Sequence, residues 1–150
     1  GLCIRPGASE LAGRACIARP CRVCPAPAHT LRGSPMVGNP AFALQGRALP
    51  TNSVVVALLG AGKCLTPGTP IPGFCGNVAV PFAPAPLVIG PLPSGGSAFC
   101  DGAVTFPVPI PADPKLCGAV LCSQLVGVCA ASPRPGTWIV QARQWRISYN

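Results

Sequence analysis

Cys21 and Cys24 enclose two residues, and His29 lies five positions further on. A C-x-x-C pair of this kind supports three chemistries. Haem attachment requires histidine directly after the second cysteine, and Pro25 stands there instead. Thiol–disulfide exchange requires a thiolate of lowered pKa at a helix N-terminus within a βαβ unit, and no helix–strand alternation surrounds the pair. Zinc requires four ligands in a tetrahedron. Cys21, Cys24 and His29 match the first three positions of a C-x2-C-x4-H-x4-C knuckle, but the fourth is Ser34, so only Cys16 from upstream would complete the set. Disulfide bonding is the reading adopted for these cysteines, with no metal.

Other catalytic patterns are equally incomplete. Acyl transfer by a serine would need His29 to meet Asp101 or Asp113, and no G-x-S-x-G elbow presents any of the eight serines. Paired-carboxylate hydrolysis needs two acids flanking one bond, and Asp113, between Ala112 and Pro114, reads as a turn residue. Calcium needs clustered carboxylates, which are not present. Gly60, Ala61, Gly62 and Lys63 resemble a phosphate loop, but Cys64 follows where Ser or Thr is required. The sequence therefore predicts no enzyme and no cofactor.

Ten cysteines set the class of protein. They stand at positions 3, 16, 21, 24, 64, 75, 100, 117, 122 and 129, an even number that permits five bridges: Cys3, Cys16, Cys21, Cys24, Cys64, Cys75, Cys100, Cys117, Cys122 and Cys129 are all disulfide candidates. Disulfides at this density belong to oxidising compartments, which predicts an extracellular or cell-surface protein. The chain opens at Gly1 without an initiator Met, as expected of one whose secretion signal has been removed. No apolar run reaches the 18 or so residues of a spanning helix, so no membrane span is expected.

Composition narrows the fold. Glycine and proline together make 39 of 150 residues, a share that by itself suggests a disordered chain. The mean hydropathy of +0.49 and 49% hydrophobic content argue for a folded one, because disorder accompanies low hydrophobicity and high charge. Twenty-one prolines leave little room for long helices. The net charge of +8 is concentrated in the first 32 residues and at Arg134, Arg143 and Arg146, with no basic run and no interleaved aromatics, so nucleic acid is not an expected partner. Only 9% of residues are charged, a surface that predicts a partner of some kind.

These residues must be positioned by short strands. From His29 onward, apolar runs alternate with turn residues, and strands are expected at 29–32, 41–48, 53–59, 76–80, 87–89, 98–106, 118–128 and 137–149. The pattern predicts an all-β fold, an antiparallel β-sandwich of seven or eight strands with jelly-roll or Greek-key connections. Residues 28–150 would form this domain, and residues 1–27 a Cys- and Arg-rich arm with a short helix from Glu10 to Ala18 capped by Ser9. Val54–Leu59 is continuously apolar, as expected of a central strand covered on both faces. In the last run Trp138, Val140 and Ala142 share one phase, whereas Trp145, Ile147 and Tyr149 share the other, so a β-bulge is expected near Arg143 or Gln144, an equally plain alternative being a strand sandwiched on both sides.

Several segments also resemble a known family. Gly38-Asn39-Pro40-Ala41-Phe42-Ala43-Leu44-Gln45-Gly46, the segment Pro72-Gly73-Phe74-Cys75, the run from Phe106 to Pro114 (FPVPIPADP), Gln124 and the Cys24-Pro25 pair carry the likeness. Over roughly residues 24–150 the chain resembles an uncharacterised secreted β-sandwich domain found at the C-termini of exported proteins of planctomycetes and myxobacteria. That resemblance implies export, a sandwich fold and a Cys24–Cys75 bridge, and no activity. The chain departs from the family at Cys122 and Leu125, where aromatics usually flank the glutamine, and in its additional cysteines.

Two functions are therefore expected. In the first, the protein is an extracellular subunit that self-assembles into a pilus-like filament or surface layer. Its arm residues Leu2, Ile4, Leu11 and Ile17 would add a strand to the next subunit. In the second, it is a monomeric glycan- or cell-surface-binding module in which Trp138, Trp145 and Tyr149 stack on a ligand.

Overall fold

The computed structural model describes residues 9–130 and 135–149. Leu2, Cys3 and Ile4 of the expected arm lie outside them. Among the described residues the regular structure is all β apart from one 3₁₀ turn at Pro114–Leu116. The strands are β1 (Glu10–Ala12), β2 (Cys16–Ile17), β3 (Ala28–Arg32), β4 (Ala43–Leu49), β5 (Ser53–Ala61) and β6 (Thr69–Pro70), followed by β7 (Asn77–Val78), β8 (Leu87–Pro93), β9 (Gly102–Pro107), β10 (Val120–Cys129), β11 (Gly136–Ile139) and β12 (Ala142–Arg146). All eight expected runs contain a strand. The count rises to twelve because the last run divides in two and because β1, β2 and β6 are too short to show any periodicity.

The helix expected from Glu10 to Ala18 does not form. Its residues supply β1 and β2, separated by a turn in which Gly13 adopts φ +76°. Glycine disfavours a helix interior, and the open edge of β11 and β12 offers backbone partners in its place. Leu11 pairs with Arg143, and Ile17 with Trp138. The segment expected as a separate arm is thus, in its described part, the outermost strand position of the main sheet.

That main sheet has seven strands, all pairs antiparallel. β8 pairs with β5 and β5 with β10; on its other side β10 pairs first with β12 and then with β11, which in turn carry β1 and β2. A three-stranded antiparallel sheet, β3-β4-β9, and the small β6-β7 hairpin complete the fold. The strand expected over 98–106 begins only at Gly102. Upstream, the Asp101 carboxylate accepts from the backbone N–H groups of Ser97 and Ala98, which holds residues 97–101 in a turn ending at Cys100 with φ +65°.

β11 and β12 are two halves of one broken strand. Val126 of β10 lies opposite Ile139, and Ser123 opposite Arg143, so Gln124 and Leu125 face Val140, Gln141 and Ala142. This one-residue excess is a bulge of the expected kind, a few positions earlier than Arg143 or Gln144. Its consequence is a change of face. Trp138 and Val140 share a core with Trp145 and Ile147, whereas Ala142, expected beside Trp138, joins Ile139 on the opposite side.

Two apolar clusters sandwich the main sheet. The larger draws Phe42, Leu44, Leu49, Val104 and Phe106 from the three-stranded sheet and its flanks, and Val55, Ala57, Leu125, Trp138 and Trp145 from the seven-stranded one. The Phe42 and Trp145 rings meet in it at 5.0 Å between centroids. On the far side, Cys64, Val78, Ala79 and Val80 cover Cys122, Val126, Ile139 and Ala142. β10 is consequently the strand most thoroughly covered on both faces. In β5, where that property was expected, Val55 and Ala57 are buried but Val54 is exposed.

Candidate functional site

Four disulfides connect described residues: Cys16–Cys75, Cys21–Cys129, Cys24–Cys100 and Cys64–Cys122. Cys117 is also disulfide-bonded, and no described cysteine is free. The implied Cys24–Cys75 bridge is corrected. β2 lies along β11 and brings Cys16 within a Cα separation of 5.8 Å of Cys75, while Cys24, beyond that strand, comes within 5.4 Å of Cys100. Both separations fall in the range that a disulfide spans without backbone distortion. Arg22 lies over the Phe99 ring, 3.3 Å from its centroid, beside the Cys24–Cys100 bridge. With Cys16, Cys21 and Cys24 each bonded to a different partner, the zinc-knuckle residues are not brought together, and the described residues hold no cluster of three or more metal-ligating side chains.

His29 is the most chemically organised residue of the molecule. It projects from β3 into the space between the two large sheets, and 2% of its surface is exposed. Its Nδ1 lies 2.9 Å from the Gln45 carbonyl oxygen, and its Nε2 2.7 Å from Ser123 Oγ on β10. A carbonyl only accepts, so Nδ1 carries the proton and the neutral ring accepts the Ser123 hydroxyl at Nε2. Ser123 Oγ accepts in turn from Trp145 Nε1–H at 3.0 Å. Burial pushes the His29 pKa down to about 4, opposed by its bond to Gln45 and assisted by the Arg143 guanidinium. Arg143 Nε donates to the His29 carbonyl at 2.9 Å.

A serine hydroxyl donating to a histidine is half of a hydrolytic apparatus, but this pair is not arranged for attack. Ser123 is fully buried, and a main-chain carbonyl occupies the place of the orienting acid. The carboxylates that a triad would set against His29 have other partners: Asp101 accepts from the Ser97 and Ala98 N–H groups, and Asp113 Oδ1 accepts from the Lys115 N–H at the start of the 3₁₀ turn. The bonds to those N–H groups hold the Asp101 carboxyl below its ordinary pKa. Gly60 and Ala61 of the loop-like motif end β5, and Lys63 follows a bend at Gly62, which adopts φ +104°.

Gln124 is the functional-looking residue whose role the structure redefines. It has no exposed surface; its Oε1 accepts from Ala79 N–H at 2.8 Å, and its Nε2 donates to the Val140 carbonyl at 2.9 Å and the Asn77 carbonyl at 3.4 Å. It therefore satisfies the carbonyl freed by the bulge and ties the β7 segment over the sheet.

The aromatic stacking surface is corrected as well. Trp138 is fully buried with Nε1 donating to Ser53 Oγ, and Trp145 is 3% exposed, so of the three candidate stacking residues only Tyr149 is presented to solvent. Their phases hid this, because the bulge turns both tryptophans to the same inner face. Leu11 and Ile17, expected to dock on another subunit, pair within their own chain, where the Cys16–Cys75 and Cys21–Cys129 bridges keep the segment at high effective concentration.

Two open features stand out among the described residues. The first is a cleft of about 380 Å³ between residues 13–16 and the β6-β7 region, lined by Arg14, Leu65, Thr66, Asn77 and the Cys16–Cys75 bridge. It contains a single charged side chain and no buried polar group aimed into it. The second is the β8 side of the main sheet. Val54 lies opposite Val128, and Leu58 opposite Val88, so Val54, Val88 and Val128 share the face turned away from the larger core. All three are exposed, Val88 by 59%, as is Leu87 beside it. Among the described residues β8 has no strand on its outer side, and between Arg47 and Asp101 the sequence holds one charged residue, Lys63. Sequence reasoning missed this surface, although the uncharged tract from 64 to 100 is visible in it.

Comparison with protein-family models, curated proteins and solved structures gives no match for this chain. No helix among the described residues is long and apolar enough to cross a membrane.

Proposed function

We propose that the protein is an extracellular structural subunit that self-assembles, and that copies meet on the β8 side of the main sheet. The observation carrying this reading is the charge-free apolar face formed by Val54, Val88 and Val128 beside an unpaired strand edge, with Leu87 exposed on the other face of that edge. With a net charge of +8, two copies repel wherever their arginines approach, and the side chains that form this face carry no charge. Pro91 and Pro93 have no N–H to offer, which confines main-chain pairing by a neighbour to the Leu87–Gly90 stretch. The disulfide network supports an outward location, since such bridges persist outside reducing compartments. The resemblance to a domain of exported proteins points the same way. The described arm strands are taken up in their own sheet, so the contact uses the opposite edge.

Sedimentation velocity and negative-stain microscopy under non-reducing conditions test this reading. The wild-type chain is expected to form concentration-dependent oligomers or fibres, and Val88→Lys to remain a monomer with unchanged thermal stability, because residue 88 is already largely in solvent. A wild-type chain that stays a single small species at millimolar concentration overturns self-assembly and favours the monomeric glycan- or surface-binding module. Assembly undiminished in Val88→Lys overturns the β8 contact.

A further inference from the structure

The hydrogen-bond chain through His29 has one polarity only. Trp145 N–H donates to Ser123, the Ser123 hydroxyl donates to His29 Nε2, and His29 Nδ1–H donates to the Gln45 carbonyl. Every member is at most 3% exposed apart from the Gln45 main chain, so no member can turn to water. The chain also spans the sheets: His29 and Gln45 belong to β3 and β4 of the three-stranded sheet, Ser123 and Trp145 to β10 and β12 of the seven-stranded one. A proton added at Nε2 makes the ring a donor at both nitrogens. Ser123 Oγ then faces two donors, and its own hydroxyl proton loses its acceptor inside the core. An unsatisfied buried polar group and an unpaired buried charge both weaken the folded state.

Beyond the Gln45 carbonyl, the surroundings offer the cation no acceptor and no counter-charge. β4 presents the neutral Gln45 carbonyl, β10 the Ser123 hydroxyl, and β12 the Trp145 indole and Arg143, whose positive guanidinium is held against the His29 main chain. We propose that the His29–Ser123–Trp145 chain is an acid-sensitive latch between the two sheets: it holds β3 against β10 and β12 at neutral pH, and protonation of the imidazole releases that contact. This inference is independent of self-assembly.

The sign follows from proton binding. The folded pKa of about 4 lies below the ordinary 6.5, so the unfolded chain binds the proton more readily and stability falls as pH drops below 6.5, the loss being complete beneath about 4. With one histidine and three carboxylates in the sequence, few other groups contribute in this window. Asp101, with its lowered carboxyl, loses its contribution only below the ordinary carboxylate range.

Equilibrium unfolding in urea from pH 7.5 to 4.5 under non-reducing conditions tests the latch. The unfolding constant of the wild-type chain is expected to rise roughly 70-fold over that range. In His29→Gln, which keeps a donor and an acceptor without a titrating ring, the rise is expected to disappear. NMR titration of the His29 ring in the wild-type chain does not depend on the variant folding, and should give a midpoint near 4 with a parallel change in Trp145 indole N–H shift. A flat wild-type profile, a ring midpoint near 6.5, or an acid response retained in His29→Gln overturns the proposal.

Discussion

Gln124 makes three hydrogen bonds from a position with no exposed surface, and each partner is a main-chain group: Ala79 N–H, Val140 C=O and Asn77 C=O. Gln124→Leu is nearly isosteric and strips all three at once. Orphaned buried groups carry about 1–3 kcal/mol each, and with partial relaxation the variant is expected to lose about 3 kcal/mol in urea unfolding. A loss below about 1 kcal/mol would mean the bulge carbonyl finds another partner. At this scale the sequence was half legible. Gln124 stands out through a family likeness and His29 through its chemistry, but a glutamine between Ser123 and Leu125 does not announce which carbonyls it satisfies. Those carbonyls lie 16 and 47 positions away.

Among the elements, β10 decides the architecture, because it pairs along its length with β5 on one side and with both β12 and β11 on the other. Its Gly127 allows this strand to lie directly beneath the Trp138 ring. A Cβ there would sit 2.2 Å from two ring atoms, and the indole cannot retreat because its Nε1 is bonded to Ser53 Oγ. Gly127→Ala is therefore expected to destabilise the protein by about 3 kcal/mol and to shift Trp138 fluorescence, measured by urea unfolding with an emission probe. An innocuous substitution would show that the indole has room the packing denies. The strand runs themselves were readable from alternation and turn residues. The bulge was foreseen in kind, since the phase of apolar residues changes between Trp138 and Trp145, but its site was not, because Val140 and Ala142 are apolar and compatible with either face. β1 and β2 stand where a helix is expected for a related reason: a segment of two or three residues has no measurable period, and its conformation is set by the edge it joins.

At the scale of the whole molecule the disulfides tie first to last. Cys21–Cys129 closes 108 residues, although Cys24–Cys100 already shortens the route to a loop of about 30 residues. On that basis Cys21→Ser with Cys129→Ser is expected to lower stability by about 3–4 kcal/mol in urea without changing the remaining bridges, which a non-reducing peptide map checks. Because Cys21 lies against Gly136, where a Cβ would come within 2.6 Å of its sulfur, the bridge also fixes how β11 begins. A loss near zero would mean the other bridges alone restrain the unfolded chain. The same network explains why the arm is not free to wander: Cys16, Cys21 and Cys24 each anchor it to a different part of the body.

The sequence by itself determined the class. Proline and glycine density forbids long helices, apolar runs between turns demand strands, and ten cysteines point to covalent bracing. Tertiary structure alone decided which cysteines pair, which face each tryptophan takes, where the arm lies, and that the lone histidine is sealed between two sheets. Each of these depends on contacts between residues tens of positions apart, and a local pattern holds no record of them.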